Sequence, residues 1–375
     1  MITPYLARRL QRWEAAGLID GTTREKILAW ETEHGRGWAT RGLLALGALI
    51  LGVGLISLVA ANWERIPPGL KLGADFLLLT VLAGAILRAR PDGGARETLI
   101  FLFQLVCLAS IGLIAQIYHL SGAPWRALAL WSVIMLPVTL FARSSAPWSA
   151  WSSGLLAALG LWLNETAGGL SSTSLLLNGW LLAEGALLLH LLGLRLDHRP
   201  MVAAFGIWAL ALGLALTFGI DLLLHDGRKL PRLVPWLPVG YLLSLAVLAL
   251  AAGRRLLRPG GLLILTLLLV MVGGVVTVLA LDTNPPLLGS HRHGLAGALF
   301  SIGVLGLGLA LSGLQGWRGP FRVFLVFLGL RIYGIYLEAF GGLAATGAGL
   351  VISGLVLIAV VLLMRRIQAR FGRRS

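Results

Sequence analysis

From Arg41 to Met364 the chain is a succession of apolar runs, most of them roughly 17–23 residues long, separated by short polar connections. An α-helix rising about 1.5 Å per residue needs about 20 such residues to cross ~30 Å of hydrocarbon. The expected fold class is all-α: a polytopic transmembrane helical bundle. A soluble domain carries about 25% charged residues, whereas this chain has 13%, with 57% hydrophobic residues and a mean hydropathy of +0.86.

The expected spans are roughly 42–61, 69–88, 98–116, 126–142, 147–163, 174–192, 200–222, 235–252, 261–281, 293–314, 321–340 and 344–364. That is about twelve, with roughly ten to twelve as the range, because the fourth and fifth are short enough to form one tighter hairpin. With the N-terminus inside, the inner segments hold 23 of the 31 Lys and Arg, the outer segments hold 7, and Arg331 is left over. This asymmetry follows the positive-inside rule and predicts both termini in the cytoplasm. Only the connection with Arg228, Lys229 and Arg232 runs against it. The same placement explains the net charge of +15. The cations stand at helix ends, where they meet anionic headgroups, so no nucleic-acid partner is expected. The first apolar run follows a charged segment, and no cleavable signal peptide is expected.

Three parts are expected: a cytoplasmic amphipathic helical hairpin over 1–40, the bundle over 41–364, and a basic cytoplasmic tail over 365–375. In the hairpin, Leu6, Leu10 and Trp13 share one helical face, and Gly17 to Gly21 reads as a turn. Thr22 and Glu25 fit a capping box, and Ile27, Leu28 and Trp30 supply the apolar stripe of a second helix. Such an element either rests on the membrane surface or docks a membrane or cytoplasmic protein. The lone Cys107 excludes a disulfide framework and a cysteine-based zinc site. Trp63, Trp125, Trp148, Trp151 and Trp236 fall near expected interfaces, as an aromatic belt would.

Charges inside the spans are the candidates for function, because each costs about 2.5–3.5 kcal/mol or more at bilayer depth. Arg331 sits in the middle of the eleventh span and Glu184 in the middle of the sixth, at matching depth and with opposite sign. A Glu184–Arg331 ion pair is the expected layer, either fixing helix register or serving an ion or substrate pathway. Glu338 lies seven residues beyond Arg331, near the same face but about 10.5 Å along the axis, and is not expected to touch it easily. Asp75 lies one turn from Lys71 and is expected to pair with it. Glu165, Asp221 and Asp282 stand at outer span ends, Asn62 and His119 in outer connections, and Gln104 and Gln116 in the third span. Together they either line an acidic outer vestibule or simply face water. Gly306-xxx-Ala310 and Gly308-xxx-Ser312 offer small residues at close-packing spacing, and Pro137 is expected to bend the fourth span.

No phosphate-binding GxxxxGK[ST], zinc-binding HExxH or GxSxG nucleophile elbow is present. His291-x-His293 lacks a third ligand fixed by spacing. No cofactor, metal or catalytic residue is assigned.

Three pieces of the first 145 residues carry a family resemblance. They are the hairpin with Trp13, Gly17, Leu18 and Ile19; Ala60-Ala-Asn62-Trp63-Glu64-Arg-Ile66-Pro67 followed by Lys71; and Gln116-Ile-Tyr118-His-Leu-Ser-Gly122 followed by Trp131 and Pro137. In this order and spacing they resemble the bacterial predicted membrane proteins grouped as domain of unknown function 2157. The resemblance implies a bacterial inner-membrane protein and supplies no mechanism.

Two functional expectations follow. The first is a transporter or permease of a small polar solute, ion or lipid, using the Glu184/Arg331 layer. The second is a non-transporting scaffold, sensor or assembly factor that binds a partner through residues 1–40. A membrane enzyme using Asp75, His119 or Asp221 is a third, with no spacing that singles those residues out.

Overall fold

A computed structural model describes residues 4–34, 63–90, 94–169, 171–226, 231–253, 256–258, 260–281, 293–344 and 354–355. The expected first span, Asn62, Arg228, Lys229, Asp282, His291, nearly all of the twelfth span and the basic tail lie outside these residues. Among the described residues there are twelve α-helices and no strand. They are α1 (Pro4–Ala15), α2 (Gly21–His34), α3 (Pro68–Arg88), α4 (Gly94–Ile117), α5 (Pro124–Leu140), α6 (Ser145–Thr166), α7 (Ser172–Arg195), α8 (Arg199–Asp226), α9 (Leu237–Ala252), α10 (Gly261–Ala280), α11 (His293–Gln315) and α12 (Arg318–Ala344). Eight helical segments are long and apolar enough to cross a membrane: α3, α4, α7, α8, α10, α11, α12, and α9 taken together with the end of the 3-10 turn before it, as Leu233–Ala252. α5 is apolar but only 17 residues long. The described residues support eight spans; the expected count of about twelve is not confirmed, and its first and twelfth members lie largely outside these residues. Pro137 lies inside α5, which continues past it to Leu140.

The chain divides into two compact units, Met1–Ala74 and Asp75–Ser375. In the first, α1 and α2 form the expected hairpin. The Leu18 N–H returns to the Trp13 carbonyl at 2.9 Å and the Gly17 N–H to Glu14 at 3.0 Å, which closes the last turn of α1. The capping expectation is corrected. α2 starts at Gly21, so Asp20 is its cap. Its carboxylate accepts from the Thr23 N–H at 3.0 Å and from the Thr22 hydroxyl. Asp outcompetes Thr here because its charge also suits the positive end of the helix dipole. Arg24 Nη1 bonds Glu14 Oε2 at 2.7 Å across the hairpin.

In the second unit α7 and α8 are central. α7 packs on α6, α8 and α9; α8 packs on α6, α7 and α11; α12 packs chiefly on α11. One core gathers Trp180, Ile220, Leu233 and Val276, and another Trp131, Trp148, Trp151 and Phe205. Trp148 and Trp151 are thus core residues rather than members of an interface belt, and the Trp151 indole donates to the Ser132 carbonyl at 2.7 Å. Lipid is as apolar as Leu, so tight packing and interhelical hydrogen bonds, not transfer from water, hold such a bundle. Gln104 supplies both. Its Nε2 donates to Thr139 Oγ1 at 2.7 Å, and its carbonyl accepts from Trp131 Nε1 at 2.8 Å. Of the two small-residue pairs, one is at an interface: a Cβ on Gly308 would come within 2.6 Å of the Phe324 ring of α12, while Gly306 faces open space.

Candidate functional site

Arg331 is buried, with 9% of its side chain exposed, and three helices meet at its guanidinium. From α8, Asp221 accepts side-on: Arg331 Nε lies 2.7 Å from Oδ2, and Nη2 donates to Oδ1 at 3.1 Å. From α11, Ser301 Oγ accepts from Nε at 3.1 Å. From α12 itself, Glu338 Oε1 accepts from Nη1 at 2.7 Å. Two-pronged recognition of a carboxylate is what the planar guanidinium fork does best.

The local sequence makes this meeting possible. α11 approaches α8 through Gly297, where a Cβ would stand 2.4 Å from Asp221 Oδ1 and 2.7 Å from the Asp221 carbonyl oxygen. Any other residue would push the helices apart. One turn beyond Gly297, Ser301 is fully buried and presents its hydroxyl to the arginine.

This overturns the expected Glu184–Arg331 pair. Glu184 is on α7, which packs on α6, α8 and α9, whereas Arg331 is on α12, packed chiefly on α11. Equal depth does not make two helices neighbours. The span estimate also ended α8 near residue 222, which put Asp221 at its mouth; α8 runs on to Asp226 and carries Asp221 within its length. Glu338 is corrected as well, since it does touch Arg331. Side chains on a helix lean toward its N-terminus, so Glu338 reaches back while Arg331 reaches forward. Together they close the ~10.5 Å of rise between them.

Glu184 has another setting. Its Oε1 accepts from Trp180 Nε1 at 2.8 Å and from Ser244 Oγ of α9 at 2.7 Å. The residue is 4% exposed, and Oε2 has no hydrogen-bond partner among the described residues. The Trp180 indole lies over Gly240 of α9, and Tyr241 meets it edge-on at 6.0 Å. Tyr241 in turn shares a 2.6 Å hydrogen bond with Thr277 of α10.

The other candidates are dispersed. The Lys71 ammonium stands 4.4 Å from the Trp63 ring centre. Asp75 Oδ1 accepts from Ser110 Oγ at 2.9 Å, and its Oδ2 is buried and unpartnered among the described residues. The expected Lys71–Asp75 pair is therefore replaced by a cation–π contact and a hydroxyl bond. Gln104 belongs to the α4–α5 interface. Gln116 is exposed, and its carbonyl accepts from the His119 N–H at 3.4 Å. His119, at φ +50°, ends α4 in the left-handed conformation. Glu165 at the end of α6 accepts from Trp125 Nε1 at 2.5 Å. Among the described residues the acids do not gather in one vestibule; of these, Asp221 and Glu338 meet at Arg331.

Sequence reading missed Ser301, Gly297 and Ser244, which are common residue types on apolar spans. It also missed His190, whose Nδ1 lies 2.9 Å from the Val202 carbonyl and whose ring meets Trp317 at 6.0 Å. A histidine in the middle of an apolar span was a readable signal. Among the described residues no group of three or more His, Cys, Asp or Glu is placed to hold a metal.

Neither a search of curated proteins nor a search of solved structures finds a match to this chain. A family model does match, over the hairpin and the following segment through Trp148, a stretch that includes Asp75 and Gln104 but none of the residues at Arg331. Over residues 11–148 the chain matches the model of the family described as predicted membrane protein (DUF2157).

Proposed function

We propose that this protein is a transporter or permease in a bacterial inner membrane, with both termini cytoplasmic, and that a proton or small cation passes Asp221, Arg331 and Glu338. The observation that carries this reading is two carboxylates on one guanidinium within apolar helices: with all three ionised, the cluster holds one negative charge in excess. A lock for helix register needs one acid per base; a second acid leaves binding capacity for a cation. Glu338 has a half-exposed side chain while Asp221 and Arg331 are buried, so the cluster grades from accessible to enclosed. It lies toward the end where α8 and α12 finish and α11 begins, which the charge count assigns to the outside.

The test is flux in proteoliposomes loaded with a pH- or potassium-sensitive dye. Wild-type protein is expected to carry protons or monovalent cations, and Glu338→Gln to slow that flux with little change in unfolding temperature. Absence of wild-type flux, or flux unaltered in Glu338→Gln, overturns the reading. The scaffold or sensor alternative draws support from the self-closed α1–α2 hairpin, held by Glu14–Arg24 and the Asp20 cap, which gives a partner a preformed surface. Deleting residues 1–38 separates the two: the transport reading expects retained flux, the alternative a cellular phenotype with no flux to lose.

A further inference from the structure

At the end of the bundle where α4, α6 and α8 begin, a cavity of about 570 Å³ opens beside the α5–α6 and α7–α8 turns. Three arginines line it, each from a different place in the chain: Arg96 in the first turn of α4, Arg143 after α5, and Arg199 at the start of α8. One acid, Asp197, also lines it. Glu97 accepts from the Arg143 N–H at 3.0 Å and the Ser144 N–H at 2.9 Å, and Arg96 Nη1 donates to the Phe141 carbonyl at 3.5 Å, which draws these segments together at the rim and leaves three arginines and one acid in the lining. The cavity is therefore cationic, far from the Arg331 cluster along the helices, and not used by the proposed transport.

Its wall also has an apolar side. Leu140 and Phe141 line it and are 58% and 70% exposed. They continue the outer face of α5, where Val133 and Leu136 are exposed too. In a helix that faces lipid, such a surface is covered by acyl chains. A cationic hollow opening onto a lipid-facing strip matches a molecule with an anionic phosphate head and hydrocarbon tails. A free phosphate would use the arginines and leave Leu140 and Phe141 without a role.

We infer that this cavity binds the phosphate headgroup of an anionic phospholipid, with Arg96, Arg143 and Arg199 around the phosphate and the acyl chains along Leu140 and Phe141. Basic pockets between membrane helices recognise such headgroups by charge and by arginine forks.

The experiment is native mass spectrometry of the full-length protein in detergent with added phosphatidylglycerol, phosphatidylcholine or inorganic phosphate, beside thermal unfolding in the same mixtures. Phosphatidylglycerol is expected to be retained roughly tenfold over phosphatidylcholine and to raise the unfolding temperature more. Arg143→Gln with Arg199→Gln is expected to remove most of that preference, and Arg199→Gln alone, at an exposed side chain, part of it. The wild-type headgroup series stands whether or not the double variant folds. Equal retention of the two lipids overturns the inference, as does an undiminished preference in folded variants. Protection by inorganic phosphate equal to that by phosphatidylglycerol also overturns it and assigns the cavity to a soluble anion.

Discussion

Arg331 and Glu184 are both buried near the middle of a long apolar helix, and the bundle accommodates them in opposite ways. Arg331 is surrounded by charge: Asp221 from α8, Glu338 from α12, and the Ser301 hydroxyl from α11. Among the described residues Glu184 has neutral partners, an indole and a hydroxyl, on one of its two oxygens. The difference follows from chemistry. A guanidinium cannot shed its charge, so its helix must be placed beside acids. A carboxyl group can take up a proton, so neutral donors suffice. The arginine therefore constrains helix arrangement far more than the glutamate does.

The strongest way to break this comparison is Asp221→Ala. It leaves the buried guanidinium with Glu338, which is half exposed, and is expected to cost about 3–5 kcal/mol of stability in detergent unfolding. Adding Arg331→Leu to it should restore much of that loss, a large coupling in a double-mutant cycle. Simple additivity would mean the two charges do not depend on each other.

Gly297→Ala comes next, at about 1–3 kcal/mol, because its Cβ collides with Asp221 and α11 must move. Reduced stability without any change in the Asp221–Arg331 coupling would show that the glycine serves packing alone.

Glu184→Gln is expected to change stability by less than about 1 kcal/mol, since the amide oxygen still accepts from Trp180 and Ser244 and no cation is orphaned. A loss comparable to that of Asp221→Ala would reveal a cationic partner and end the contrast.

The smallest effect lies at the exposed extreme, in the α2 cap. Bonds from the Thr22 hydroxyl, then from Thr23, hold the Asp20 carboxyl down at about 2. Its folded value is below the ordinary carboxylate value, so the cap contributes fully above about pH 4 and is lost as pH falls through about 2. Amide exchange at Thr23 should quicken across that window and stay flat above it. A flat profile throughout would mean that the Asp20 charge does not matter to the cap.

Much of this was readable in the residues. The apolar runs announced helices, and eight of the expected spans are long apolar helices among the described residues. The N-terminal hairpin was legible from Trp13, Gly17 and Leu18, and its cap was misassigned by two residues because Asp20 and Thr22 both suit the role. Arg331 was legible as the costly charge. Its partner was not: depth along a helix is a one-dimensional quantity, whereas Asp221 was chosen by which helix α12 lies near and by how close Gly297 lets α8 and α11 come. Ser301 and Ser244 were invisible for the same reason, since a serine on an apolar span has no pattern that tells an interface from a lipid face.

By itself the sequence determined a lipid-solvated helical protein, an N-terminal helix–turn–helix, and two ionisable groups that needed a local solution. Those properties depend on composition and on spacing along one helix, which hydropathy and a 3.6-residue period express directly. Only the tertiary structure decided that Arg331 pairs with Asp221 and Glu338, that Glu184 rests on Trp180 and Ser244, and that three arginines distant in the chain line one cavity. Each of these depends on the azimuth and neighbours of packed helices. In lipid those are set by small residues and interhelical hydrogen bonds rather than by a readable hydrophobic stripe.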